Sequence, residues 1–407
     1  MTEMTFLCLD GPSGYNYKSP LACASYEGFA MRTDLFRKYI WMAATLFLGV
    51  LWGTVPAGAT PAPGDAKTRL AIVGLDHDHV WGLLKDIATE PNAELVGIAD
   101  THPALVDRAK SRVPASVKFY TDYVKMLDET KPEAVIVTTE NDKHLEILRE
   151  CAKRHIHYST EKPMALTGAD AHEMERLANQ AGIKLMVNYW NAWVAPTHEI
   201  FHRVRAGEVG PVQKIIVRYG HQGPKEIGVS QYFADWLYDP VKNGGGAIMD
   251  FGCYGAEWAL WLKGQPTRVY AAAQKLKTEQ HNKVDDDATI LLEYPDATVI
   301  IEASWDWPYD NGQVEVFGPK GSLLATGEEL FHRTANDDSS KIALEGQRIA
   351  VTPAPKETSN PISYFVDCIR HDKPIEDPLS ATLNVHVMEI LDAARESVRS
   401  GRAHELR

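Results

Sequence analysis

Lys162 stands in the run Thr160-Glu161-Lys162-Pro163, after a β-rich stretch, His155-Ile-His-Tyr-Ser159, and ahead of a helical pattern from Gly168 to Gly182. The proline keeps Lys162 out of helical geometry, and an X-Pro bond can turn cis in a tight turn. A charge held there projects from a sheet edge into whatever lies above it. Farther along, Gly244-Gly-Gly-Ala-Ile-Met-Asp250 leads into Phe251-Gly-Cys-Tyr254. The i, i+4 spacing predicts Asp250 and Tyr254 on one helical face, and the glycines let backbone or ligand come close. An ammonium, a carboxylate and a phenol can together move a proton to or from a hydroxyl. A tyrosine titrates at about 10 unperturbed, and a neighbouring ammonium favours its phenolate. Were the fold to set Lys162 beside Tyr254, the two could serve as a general acid/base pair, with Lys162 also steadying a developing alkoxide. Alone, Tyr254 reads as a core residue and Asp250 as a helix N-cap. Their company with Lys162 is what points to chemistry.

Such groups need elements to hold them. Arg69-Leu-Ala-Ile-Val-Gly74 is a short buried-strand pattern ending in glycine; Val80 to Ala88 has helical spacing; Glu94-Leu-Val-Gly-Ile-Ala-Asp100 is a second strand. Strand, glycine turn, helix, strand, acid is the layout of a dinucleotide site. Asp100 suits an adenosine ribose and would repel a 2′-phosphate, so NAD is expected rather than NADP. A full G-x-G-x-x-G loop would carry glycines where this chain has Asp76 and His79. Both crowd the approach of a diphosphate, and Asp76 adds negative charge. His77 or His79 could donate to phosphate instead, and a cleft that no longer takes a dinucleotide stays open as a reading. His77, Asp78 and His79 raise metal binding, but the spacing offers no third partner and no metal is expected.

The alternation continues. Helices are expected over Ala104–Lys110, Tyr123–Thr130 and Leu145–Arg154, and strands over Lys118–Tyr120, Ala134–Thr139, His155–Thr160 and Lys184–Asn188. This is an α/β, doubly wound parallel sheet, assigned to residues 68–190. Beyond Asn191 the pattern changes. A helix over Pro196–Ala206 and a strand over Val212–Tyr219 precede an amphipathic helix over Phe251–Leu262. Strands Arg268–Gln274, Ala288–Tyr294, Thr298–Ser304, Gln313–Phe317 and Gly321–Ala325 follow without intervening helices. Helices over Pro361–Arg370 and Ala381–Ser400 close the chain. Residues 191–407 therefore read as an α+β domain with a large, mostly antiparallel open sheet.

In order, Gly74, Asp100, Asn141-x-x-His144, Glu161-Lys162-Pro163 and Gly-Gly-Gly-x-x-x-Asp250-x-x-x-Tyr254 resemble the Gfo/Idh/MocA oxidoreductases, from about Arg69 onward. The resemblance implies a Rossmann domain followed by a substrate-binding and oligomerisation domain. It implies hydride transfer between NAD and a hydroxyl-bearing carbon of a sugar or polyol, and assembly as dimers or tetramers. Lys162 would sit by the nicotinamide and the reacting hydroxyl, and Asp250 would orient substrate. Tyr254 stands where many members carry His. Along the cofactor edge we expect Gly74, Asp76, His77, His79, Asp100, Thr138, Asn141, His144, Glu161 and Lys162; on the substrate side, Trp190, Asn191, His221 and Trp305. Aromatic faces pack on sugar rings, although each tryptophan alone reads as core.

The chain of 407 residues, with 44% hydrophobic and 24% charged content, has the composition of an ordinary globular protein. Its net charge of −13 argues against a nucleic-acid partner. Residues 1–59 read as a leader. From Met31, the expected start, a basic n-region, an apolar run Ile40–Val55 and Pro56-Ala57-Gly58-Ala59 form a signal peptide cleaved after Ala59. The apolar run is short for a membrane anchor. Export to the periplasm is expected, by the Sec route, since Arg37-Lys38 is no twin arginine. Free NAD is scarce there, so an exported enzyme would need a retained, self-recycled cofactor. Five cysteines show no disulfide or zinc framework. Three function classes remain: an NAD-dependent sugar or polyol oxidoreductase, a glycoside-cleaving or isomerising enzyme using bound NAD transiently, and a non-catalytic carbohydrate-binding protein.

Overall fold

The computed structural model describes residues 66–277, 283–338, 341, 343–353, 355 and 358–406. The leader, the Met31 start and the Ala59 cleavage site lie outside them. Among the described residues no helix is long and apolar enough to cross a membrane.

Six strands form the first sheet: β1 (Thr68–Val73), β2 (Ala93–Ala99), β3 (Lys118–Tyr120), β4 (Ala134–Val137), β5 (His157–Glu161) and β6 (Leu185–Asn188). All neighbours are parallel, in the order β3-β2-β1-β4-β5-β6. That is the doubly wound order, with its switch point between β1 and β4. β4 is Ala-Val-Ile-Val and buried throughout, as a parallel strand between two helical layers must be. The helices carry their own signals. Asp122 accepts from the amides of Val124 and Lys125 to start Tyr123–Thr130, and Gly182, at φ +64°, ends Gly168–Ala181.

The second sheet has nine strands: β7 (Lys214–Gly220), β8 (Arg268–Gln274), β9 (Asp287–Glu293), β10 (Thr298–Ser304), β11 (Asn311–Gly318), β12 (Gly321–Thr326), β13 (Glu329–Thr334), β14 (Gln347–Ile349) and β15 (His404–Glu405). β7 and β10 pair parallel; every other pair is antiparallel. The expected mostly antiparallel sheet is present, and β13 and the edge strands β14 and β15 add to the strands expected.

The helix expected to be amphipathic, Gly252–Lys263, is instead buried at every residue from Gly252 to Leu262. It lies between the second sheet and helix Ala381–Ser400, so apolar residues surround its axis. The chain end returns to the first sheet. Helix Pro361–Arg370 packs on helix Val80–Thr89 and β1, and Ala381–Ser400 packs on Gly168–Ala181. The amide of Val187 in β6 donates to Leu379 O at 3.0 Å. C-terminal residues thus complete the layers around the first sheet.

Candidate active site

β5 delivers Lys162 to the carboxyl edge of the first sheet, where the Lys162–Pro163 bond is cis. The side chain is buried, and Nζ donates to Asp250 Oδ1 and, at 3.2 Å, to Asp250 O. Trp305 Nε1 donates to the other carboxylate oxygen at 2.9 Å. Burial opposes the ammonium, but the Asp250 carboxylate outweighs it and holds Lys162 above its ordinary value. Burial likewise opposes the Asp250 charge, and Lys162 reverses this to hold the carboxyl below the usual range. The two form a buried, ionised pair.

Asp250 is placed by the glycine run. A Cβ on Gly246 would lie 1.8 Å from Asp285 O, so only glycine fits. The Asp285 carboxylate accepts from the amides of Gly246 at 2.8 Å and Ile248 at 2.7 Å, which fixes the short helix Ala247–Asp250. That helix stops at Phe251, and Tyr254 belongs to the next one. Asp250 and Tyr254 therefore do not share one helical face, contrary to the spacing argument.

Tyr254 presents its ring to Lys162, with Nζ 5.2 Å from the ring centroid. The ring stacks on Tyr219 at 4.7 Å and meets Tyr189 edge-on at 5.4 Å. Burial pushes its phenol well above the ordinary value, and Cys253, Asp250 and Glu161 add to the shift. The lowered phenol expected from the neighbouring ammonium is not found: burial is the largest influence and raises it instead. His221, at the end of β7, meets Phe251 edge-on at 5.0 Å. Burial lowers its pKa despite the nearby Asp250 carboxylate.

The loop after β1 forms the middle of the crevice. Gly74 has φ +87°, and a Cβ there would meet Thr139 Cγ2 at 2.4 Å. Its amides are used internally: Leu75 N donates to Asp100 Oδ2 at 2.6 Å and His77 N to Thr138 O at 3.3 Å. Thr138 Oγ1 donates to Gly74 O at 2.7 Å. Asp76 is buried, and burial, Glu140 and Asp100 raise its pKa. His77 is packed against Phe233 at 4.2 Å and Trp236 at 5.7 Å. His79 Nδ1 lies 2.9 Å from Glu161 Oε2. Asp78 accepts from Ser230 N at 2.6 Å. Residues 230–243 thus cover this loop, further tied by Lys242 to Glu140 at 3.1 Å and by Asn141 Nδ2 to Asn243 Oδ1 at 2.7 Å.

The outer end is open. A hollow of about 370 Å³ lies beside Asp100, lined by Val106, Phe119, Tyr120, Thr121, Asp122 and Lys125. After β4, Asn141 Oδ1 is buried without a hydrogen-bond partner, while His144 reaches the Thr139 backbone and Thr160 the Tyr158 hydroxyl.

Of the substrate-side residues, Trp305 and His221 stand with the Lys162–Asp250 pair. Asn191 lies behind it, donating to Glu257 Oε2 at 2.8 Å. Trp190 is 68% exposed. Sequence reasoning missed Asp285, Asn188, which donates to Glu161 Oε1 at 2.7 Å, and helix Gln231–Leu237 with Phe233 and Trp236. The last left a signal: a capping Ser230 followed by apolar residues at Phe233, Trp236 and Leu237.

Residues 69–189 match the model of an oxidoreductase family with an NAD-binding Rossmann fold, and residues 197–324 match the GFO/IDH/MocA C-terminal domain. The chain is 22% identical to scyllo-inositol 2-dehydrogenase (NAD(+)) of Bacillus subtilis, over 82% of this chain and 95% of that protein. It is 26% identical to D-xylose 1-dehydrogenase (NADP(+)) 2 of Haloferax volcanii, over 78% and 93%. An aldose-aldose oxidoreductase from Caulobacter crescentus, solved with glycerol, superposes with TM-score 0.71 and 23% identity, covering 84% of this chain and all of that one. The last likeness is one of fold.

Proposed function

As the chain belongs to the GFO/IDH/MocA oxidoreductase family, we propose that it transfers a hydride between NAD and a hydroxyl-bearing carbon of a sugar or polyol. The observation that carries this is the buried Lys162–Asp250 ion pair at the carboxyl end of β5. The residues at both ends of the crevice fit the cofactor. The hollow beside Asp100 suits an adenosine, and the unpartnered Asn141 oxygen suits a polar group of a ligand along the edge. Asp100, Thr138, Asn141 and Lys162 are the residues that would hold it; Glu161, expected beside them, spends its two oxygens on His79 and Asn188. Between the ends, Asp76 and the cover formed by residues 230–243 leave less room than a glycine loop does. When bound, the nicotinamide supplies the hydride acceptor or donor.

The protein's own contribution is the proton and the position. The Lys162 ammonium donates a hydrogen bond to the reacting oxygen and steadies its charge as the proton leaves. Asp250 and Trp305 fix that ammonium, and the Tyr254 ring supports it from one face. His221 meets the ring of Phe251, the residue after Asp250, edge-on and feels the Asp250 charge. The names of curated relatives, an inositol and a xylose dehydrogenase, support a sugar or polyol substrate.

The crowded loop favours one alternative, a carbohydrate-binding protein without nicotinamide chemistry. Denaturing the purified protein and assaying the supernatant for NAD(H), then titrating fresh NAD calorimetrically, separates the two. Released or bound nicotinamide, followed by its reduction with a sugar or polyol, supports the oxidoreductase. Neither release nor binding overturns it. Export to the periplasm after cleavage at Ala59, and assembly as a homodimer or homotetramer, are further parts of the proposal. The basic-then-apolar run from Met31 supports the first, and family resemblance the second. Cell fractionation with N-terminal sequencing, and light scattering, test them.

A further inference from the structure

We propose that His77, His79 and Glu161 form a binding site for a divalent transition-metal ion of the zinc class. In sequence the two histidines lack a third partner; the fold brings one from 82 positions away. Glu161, at the end of β5, sets Oε2 2.9 Å from His79 Nδ1. One donor atom from each of the three residues lies within 4.8 Å of the others. Two imidazoles and one carboxylate are a ligand set that zinc and its first-row neighbours accept, at about 2.0–2.2 Å from each atom.

The surroundings are those of a held site. Glu161 is buried, and its second oxygen accepts from Asn188 Nδ2 at 2.7 Å, which sets the carboxylate's direction. His77 is fixed against Phe233 and Trp236, so it needs little further ordering. His79 is the open member, its side chain 42% exposed, and gives an ion a path in and a free coordination position. The nearby Lys162 ammonium, which would repel a cation, is taken up by Asp250. The inference stands apart from the choice of substrate. It gives the departure from a glycine loop a purpose: His79 stands where a diphosphate-binding loop would carry glycine.

The simpler account is a His79–Glu161 hydrogen bond that binds nothing. The purified, tag-free protein decides between them. Metal analysis and calorimetric titration with Zn²⁺ alone should find about one ion per chain. His79→Ala and Glu161→Gln should each weaken binding at least about 100-fold, and Asn188→Ala about 10-fold or more. His172→Ala, which breaks the surface His172–Glu389 pair, should change nothing. Since Glu161→Gln alters a buried carboxyl, Co²⁺ absorption of the unmodified protein gives a second reading, with His79 ligation lost in His79→Ala. No saturable Zn²⁺ binding, or binding untouched by His79→Ala, overturns the site.

Discussion

The two inner stretches of the crevice bury charge in opposite ways. At the Lys162 end, every charged group has a partner: Lys162 with Asp250, Asp250 with Trp305, Glu161 with Asn188 and His79. At the Gly74 end, the Asp76 carboxyl is buried beside Glu140 and Asp100, two further carboxylates. The first stretch is arranged to keep an ammonium charged at the carboxyl edge of β5, which is what an alkoxide-stabilising group requires. The second packs carboxyls where such a fold otherwise offers a helix N-terminus to an anion, and burial there pushes the Asp76 pKa up to about 8. The reacting end and the anchoring end of one crevice can therefore diverge separately, because different strands supply them.

The largest expected effect tests the first stretch. Lys162→Ala should lower turnover about 10²- to 10⁴-fold, the usual contribution of a positioned proton-transfer group. It should also destabilise the fold by about 3–5 kcal/mol, because Asp250 would be left buried and unpaired. Lys162→Ala/Asp250→Asn should recover most of the stability and none of the turnover. Steady-state nicotinamide absorbance and urea unfolding read the two effects apart. If the single variant keeps full turnover, the lysine is a structural cation and the contrast between the two stretches loses its functional meaning.

A second carboxyl on the same face of the fold sharpens the contrast. Glu257 is fully buried, one carboxyl oxygen has no partner, and burial pushes its pKa up to about 8. A raised carboxyl pKa means the native state holds the proton more tightly than the unfolded chain. Its stabilising effect is present below the ordinary glutamate value and is lost as pH rises through about 8. Asp250, held low by Lys162, has the opposite sign, with stability lost as pH falls. Glu257→Gln should therefore nearly match the parent near about pH 5 and exceed it by on the order of 5 kcal/mol near about pH 9. Urea midpoints at the two pH values measure this. A constant difference would mean that Glu257 is already ionised at neutral pH.

Much of this was legible in sequence because it rests on periodicity. The six-strand sheet, its order of strands and helices, and the positions of Gly74, Asp100 and Lys162 follow from apolar runs and punctuation. What stayed hidden depends on long-range closure. Nothing local marks Glu161 as the neighbour of His79, or Asp285 as the holder of Gly246. The direction of the phenol shift at Tyr254 depends on how deeply its ring is buried, which no local spacing records. The edge strands β14 and β15 are three and two residues long, too short to carry a period. Helix Gly252–Lys263 reads as one-sided in sequence because its burial on the far side comes from Ala381–Ser400, more than 100 residues later.

Two smaller changes probe the second stretch. Asp76→Gly restores one glycine of the fingerprint and removes a carboxyl from beside Glu140 and Asp100. NAD affinity by calorimetry should tighten about tenfold, equivalent to about 1.4 kcal/mol. An unchanged affinity would put the restriction in the cover, Phe233 and Trp236, rather than in the loop.

The smallest effect separates loop from helix. Gly82 is exposed, lies in the first turn of Val80–Thr89, and an added Cβ would meet nothing within 4 Å. Its amide already donates to His79 O at 3.0 Å. Alanine there should stabilise the protein by about 0.5–1 kcal/mol through helix propensity alone, read as a raised urea midpoint at constant slope. Because the amides of this turn are already bonded within the chain, NAD affinity should stay where it was. A diphosphate that docked closely against this helix start would feel the added methyl, and a loss of affinity in Gly82→Ala with no loss of stability would mean that the loop opens on binding and that the two stretches of the crevice are less different than they stand here.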